Sequence, residues 1–478
     1  MSDVSERYGV NQSASPQEIV ERALGLSRSD DCMVIVSEDS TANLRWAGNS
    51  LTTNGLTRGR TVTVVSLTGG RAGVSAGVVR RSGLRDDLLE DLVRAAEAAS
   101  RDAPPAEEAR PLITPEQAPA TDWDSPPAET GIAVFERFAP RLGAAFERAR
   151  GRGNLLYGYA EHTMSSTYLG TSSGVRLRHD QPSGTVDINA KSGESASGAA
   201  HSAWVGRATR DFADIDVEAL AAELDRRLAW GRRRVDLPAG RYETVLPPEA
   251  VADLMINLYF DIGARDAFEG RTAFSAPGGG TRVGERLAGL PLTLRSDPAQ
   301  PGLECAPFVL SGAPGRWLSA FDNGLPRGPV EWVRKGELAA LGQTRHSAEL
   351  TGLPLTPPVD NLVLELPGAT ATLDDLVAGT TRGLLLTCLW YIRTVDPQTM
   401  LLTGLTRDGV YLVEDGEVVG AVNNFRFNES PVGLLGRISE AGASVAALSR
   451  EVGDFFPRSM MPPVRVPDFN MSTVSQAS

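Results

Sequence analysis

Apolar residues recur at helical spacing in few places along this chain and at strand spacing in many. The first helical stretch opens at Ser15-Pro16-Gln17-Glu18, with a Ser N-cap, Pro at the first helical position and an acid in the first turn. Val20, Ala23, Leu24 and Leu26 give it an apolar stripe. The period then shortens to that of strands over residues 32–36, 42–46, 61–67 and 71–79, with turn signals at Asn54-Gly55 and Gly69-Gly70. A second helix is predicted over 86–100, with Leu88, Leu89, Leu92, Val93 and Ala96 on one side. Helix, strands and helix predict an N-terminal α+β unit over residues 1–103.

Residues 104–127 are rich in Pro, Ala and Glu without periodicity, which predicts a linker or surface excursion. A central unit over 128–236 follows. It begins with a helix over 132–150, restarted at Pro140, and continues as strands over 155–165, 167–168, 175–179, 185–190 and 200–205. A helix over 217–232 closes it.

The third unit, 237–478, starts with a strand over 242–246 and a helix over 249–262. Val251, Leu254, Met255, Leu258 and Ile262 share a face of that helix, and Pro247-Pro248 suits its first turn. Strands are predicted over 291–294, 330–334, 362–366, 383–393, 401–406, 409–413 and 417–427, with a hairpin turn at Glu414-Asp415-Gly416. A helix over 432–452 then precedes a Pro-rich tail. The whole reads as α+β, with mixed and antiparallel sheets flanked by helices and no solenoid repeat.

A chain of 478 residues exceeds a single simple core, in agreement with two or three domains. Its net charge of −13 argues against non-specific nucleic-acid binding, and Arg232-Arg233-Arg234 is too short a cluster to reverse that. Cys32, Cys305 and Cys388 are far apart and odd in number, which excludes a disulfide framework and fits a reducing compartment. The first ten residues lack the apolar core of a signal peptide, and no apolar run reaches the ~20 residues of a membrane helix. A cytoplasmic location is therefore expected, without membrane partners.

Candidate chemistry is sparse. His162, His179 and His201 fall on predicted strands of the central unit, where a metal site or an acid/base pair is conceivable. Their spacing matches no ligand signature, which favours hydrogen-bonded strand histidines. No G-x-S-x-G nucleophile turn is present; Ser172-Ser173-Gly174 reads as a turn and Gly278-Gly279-Gly280 as a loop tip without P-loop spacing. Cys388, in an apolar run with no basic neighbour in sequence, reads as a buried inert thiol. Asn424, Phe425, Arg426 and Phe427 form a more distinctive stretch. Both aromatics share one strand face and Arg426 takes the other, as core and rim or as the lining of a peptide chamber.

Several stretches in order resemble the TldD/PmbA family, historically called modulators of DNA gyrase. They are Arg45-Trp46-Ala47-Gly48-Asn49-Ser50-Leu51 with Thr52-Thr53-Asn54-Gly55, then Gly170-Thr171-Ser172-Ser173-Gly174-Val175, then Phe321-Asp322-Asn323-Gly324-Leu325-Pro326 with Lys335-Gly336-Glu337-Leu338. The last is Gly409-Val410-Tyr411-Leu412-Val413-Glu414-Asp415-Gly416-Glu417-Val418 leading into Asn424-Phe425-Arg426-Phe427. The resemblance implies N-terminal, central and C-terminal domains. It also implies that TldD-type subunits hold zinc through H-E-x-x-x-H on the helix opening the C-terminal domain and a Cys near the C-terminus.

Here the helix over 249–262 has neither His nor Cys, and Phe455-Phe456-Pro457-Arg458-Ser459-Met460-Met461-Pro462-Pro463 has no Cys. The chain is thus similar to the TldE (PmbA) type. The implied function is the non-metal-binding half of a cytosolic heterodimeric metallopeptidase that cleaves unfolded peptides, with zinc in a TldD-type partner and no catalytic or metal residue in this chain. Two alternatives stand beside it: a homodimeric peptide-binding scaffold, and a family member repurposed in specialised metabolism through His162, His179 and His201.

Overall fold

The computed structural model describes residues 14–71, 73–192, 201–407 and 409–475. The first half is organised by a six-stranded antiparallel sheet of order β3-β2-β1-β4-β5-β6. Its strands are β1 (Asp31–Ala47), β2 (Ser50–Gly70), β3 (Gly73–Ser82), β4 (Asn154–Thr171), β5 (Arg176–Ser192) and β6 (Ser202–Thr209). Several are far longer than the apolar runs predict. The polar stretch from Ser37 to Asn43 stays extended because its backbone is paired on both sides, with β2 and with β4.

Asn54-Gly55, expected as a turn, lies inside β2 opposite Leu44 and Asn43. The chain reverses instead at Gly48-Asn49, whose φ values of 58° and 64° are those of a type I′ turn. Asn49 suits that position twice over. It tolerates positive φ, and its buried side chain accepts from Leu156 N (2.7 Å) and donates to Asn154 O (2.8 Å), tying the turn to β4. Pairing of β1 with β4 makes one sheet of strands from both the N-terminal and the central segments.

Two helices, α1 (Pro16–Leu26) and α2 (Leu89–Asp102), pack on β1 and β2. A Ser15–Glu18 capping box starts α1. Residues Asp86–Leu88 form a 3₁₀ turn before α2, which rotates Leu88 out of the apolar stripe and leaves it exposed. The predicted linker has no helix or named strand of its own, yet it is strapped down. Ala106 N donates to Val74 O (2.8 Å), Leu112 and Ile113 are buried, and Glu108 pairs with Arg265 at 3.4 Å.

Helix α3 (Phe138–Gly151) starts after a 3₁₀ turn at Ile132–Phe135, so the break precedes Pro140, which sits in the first turn. With α4 (Val217–Trp230) it covers the second end of the sheet around Trp46, whose ring lies 6.4 Å from Phe138 and 6.3 Å from Phe146. Gly158 makes room for that indole: a Cβ there would lie 2.4 Å from its ring.

The second half holds a six-stranded and a ten-stranded sheet, both mixed. One hydrophobic core joins them around α5 (Pro248–Phe260), which is buried on nearly every side. The predicted run 383–393 is two strands, Arg382–Leu386 and Trp390–Asp396; likewise 417–427 divides into Glu417–Val422 and Phe425–Glu429. The predicted helix 432–452 is corrected to a short helix, Pro431–Arg437, followed by strands Glu440–Ala441 and Val445–Ala447. Gly442 shows why: its backbone presses so closely on Ala371 O that a Cβ would sit 2.1 Å away, and chain pairing replaces helical bonds. The Pro-rich tail contains Val464–Val474, a central strand between Phe425–Glu429 and Gly240–Leu246. Pro467 is tolerated there because the register shifts between Val466 and Phe469.

Candidate functional site

Helix α5 meets the central segment through its first turn. Pro247 and Pro248 start it without a side-chain cap. Glu249 lies in the first turn, where the helix dipole favours a carboxylate, and pairs with Arg207 of β6 at 2.6 Å. Four residues on, Asp253 points into the core with 1% of its surface exposed. Its Oδ1 accepts from Ser449 Oγ (2.6 Å) and from Glu451 N (3.1 Å). Burial pushes this carboxyl from its ordinary 3.8 up to about 7, against the lowering pull of those two hydrogen bonds.

The loop that Asp253 holds carries Arg450. Its guanidinium is stacked between Trp204 of β6 and Trp390, 5.2 Å from each ring, and donates to Cys388 Sγ. Cys388 is buried as expected, but it has a basic neighbour that the sequence did not place beside it. Asp187 on β5 shares a cavity of about 220 Å³ with Arg450 and Asp454. Burial first, and then the charge of Asp454, raise Asp187 to about 6.

Two larger cavities of about 270 and 620 Å³ lie between the β6 edge and the strand Val445–Ala447. They share Ala208, Asp214 and Ala446. His179, Arg458 and Glu304 face the first; Glu249, Leu220 and Pro463 face the second.

Among the described residues no group of three or more His, Cys, Asp or Glu is placed to hold a metal ion. On α5 the two carboxylates nearest to such a role, Glu249 and Asp253, are already engaged by Arg207, Ser449 and Glu451 N. A zinc site does not fit these residues.

The three strand histidines do not meet. His162 pairs opposite Gly184 and His179 opposite Thr167, five positions along the same ladder, or ~17 Å. His162 donates through Nε2 to Arg210 O and accepts at Nδ1 from Thr130 Oγ1, both at 2.7 Å, and burial lowers its pKa. His179 bonds to Gln181, and His201 lies beyond the far end of that ladder, beside Ser192.

Of the distinctive stretch, Phe425 and Phe427 are fully buried core side chains. Arg426 is exposed and bonds to Thr403 Oγ1. Asn424 faces a cavity of about 320 Å³ together with His201 and Tyr411. Sequence reasoning missed Asp253, Ser449 and Arg450. Asp253 falls opposite the apolar stripe of Val251, Leu254, Met255, Leu258 and Ile262, where an acid reads as an ordinary solvent-facing residue, so periodicity carried no signal for its burial.

Comparison with known families matches residues 239–473 to the PmbA/TldA metallopeptidase C-terminal domain and residues 122–232 to its central domain. No curated protein matches the sequence. Three solved structures share the fold. TldE from Thermococcus kodakarensis is 15% identical, with a TM-score of 0.77 over 96% of this chain and 99% of that one. A protein from Thermotoga maritima, described as a candidate modulator of a DNA gyrase, is 16% identical, with a TM-score of 0.74 over 95% and 99%. A similarly described protein from Bacteroides thetaiotaomicron is 14% identical, with a TM-score of 0.75 over 96% and 99%.

Proposed function

The chain belongs to the TldD/PmbA family of metallopeptidases, and from that premise we propose that it is the non-metal-binding, TldE-type subunit of a heterodimeric peptidase. One observation carries the reading. The helix that opens the C-terminal domain keeps its place in the core, while its two carboxylates are consumed by internal partners and no His or Cys accompanies them. Fold and site are separable, so a subunit can lose the metal residues and keep the architecture.

On this reading a TldD-type partner supplies zinc and the water-polarising Glu, and this chain supplies wall and floor to a shared chamber in the cytosol. The cavities along β6, with Arg458, Glu304 and Glu249 at their margins, offer apolar and charged surface to an unfolded peptide. The likeness to TldE, although of fold only, supports the same assignment. The test is co-expression with a TldD-type chain. Peptide cleavage is expected from the pair and from neither chain alone; cleavage by this chain alone would refute the assignment.

A further inference from the structure

The outer half of the β1–β2 hairpin has an open edge. β2 pairs with β1 along its length, but β3 covers only Thr61 to Gly70 of its other side. Among the described residues no strand or bridge pairs with the outer edge of residues 50–59. Ten residues at ~3.4 Å each leave ~34 Å of free strand edge.

Proteins blunt such an edge with Lys, Pro, a bulge or a covering loop. Here no Lys or Pro occurs from Ser50 to Arg60, and Ser50 to Thr57 carries no charge at all in a chain of net charge −13. Arg58, the first cation, is turned to Glu129 at 2.5 Å. Leu51 and Leu56 are 52% and 49% exposed. They pair directly with Trp46 and Ala42, so they lie on the face that α3 covers farther in and extend that apolar face beyond its cover.

We propose that residues 50–59 are a docking edge, and that the occupant is the corresponding hairpin edge of the TldD-type partner, added antiparallel across a pseudo-two-fold axis. This rests on the heterodimer reading above. Related structures align over 95–96% of this chain and 99% of their own, which fits a hairpin common to the fold, and the partner subunit is taken to bring an equivalent one. An uncharged edge is what such pairing needs, because antiparallel apposition of like edges sets like charges opposite one another. The two half-exposed leucines then become part of the interface core.

Amide hydrogen exchange of residues 50–59, alone and in the complex, tests this. Alternate amides, those pointing away from β1, are expected to slow at least about tenfold on complex formation. A Leu51→Lys/Leu56→Lys double variant, with its melting temperature as a control of folding, is expected to bind the partner at least about tenfold more weakly. A wild-type complex in which these amides are unchanged overturns the docking edge and leaves the heterodimer standing, as does a folded double variant that binds normally. Protection that arises only in a dimer of this chain with itself overturns the occupant. Failure of the wild-type chain to bind any TldD-type subunit removes the heterodimer reading and this inference together.

Discussion

The Asp253 carboxylate, in the middle of α5, accepts a 2.6 Å hydrogen bond from the Ser449 hydroxyl, 196 residues further along the chain. The contact fixes the loop that carries Arg450 against the helix, and it sets the pH response of the fold. Burial raises Asp253 to about 7, whereas the group titrates near ~3.9 in an unfolded chain. Between about pH 4 and 7 the native state holds a proton that the unfolded state has released, so stability falls as pH rises through that window and levels above it. Asp187, raised to about 6, acts in the same sense over the lower part. Asp253→Asn keeps the acceptor oxygen and removes the titration. It is predicted to be more stable than wild type at pH 8, by on the order of a few kcal/mol, with a shallower slope below pH 7 in urea unfolding.

Tyr259 on α5 is buried, donates to Val359 O (2.7 Å) and accepts from Val359 N (2.8 Å). Tyr259→Phe leaves both backbone groups buried without a partner. A loss of about 1–3 kcal/mol is predicted, measured as a shift of the urea midpoint at unchanged m-value.

Arg450 is the contact through which Trp204 of the central segment and Trp390 of the C-terminal segment grip one another. Arg450→Ala is predicted to cost about 1–4 kcal/mol, from two cation–π contacts of about 0.5–2 kcal/mol each. Tryptophan fluorescence checks the local effect. The variant should show altered emission, because the indoles lose the cation between them.

Cys32, Cys305 and Cys388 are all buried, and burial raises the first two thiols to about 11. The native chain is predicted to resist maleimide at pH 7, and the denatured chain to take up three labels. Mass spectrometry reads the difference directly. Rapid native labelling of Cys388 would show that Arg450 activates it rather than sealing it in.

The α+β class was legible in the sequence because strand periodicity and turn residues dominate it, and the family resemblance rested on stretches that form the β1–β2 reversal, the turn between β4 and β5, the loop around Asn323 and the C-terminal hairpins. Asn54-Gly55 misled because local turn chemistry was overruled by pairing on a long ladder whose true reversal lies at Gly48-Asn49. Residues 432–452 misled because helical spacing of apolar residues says nothing about Gly442 pressed against Ala371. The candidate site was less legible still. Asp253, Ser449, Trp204 and Trp390 come from distant parts of the chain, and only folding brings them to one place.

On the function proposed above, this chain is the half of a peptidase that holds no metal. Zinc content by elemental analysis, on the chain purified alone and on its complex with a TldD-type subunit, decides the matter. Less than about 0.1 zinc per chain alone and about one per heterodimer, with peptide cleavage only in the complex, is the predicted result. Stoichiometric zinc bound by this chain alone, together with cleavage of an unfolded peptide, would contradict it.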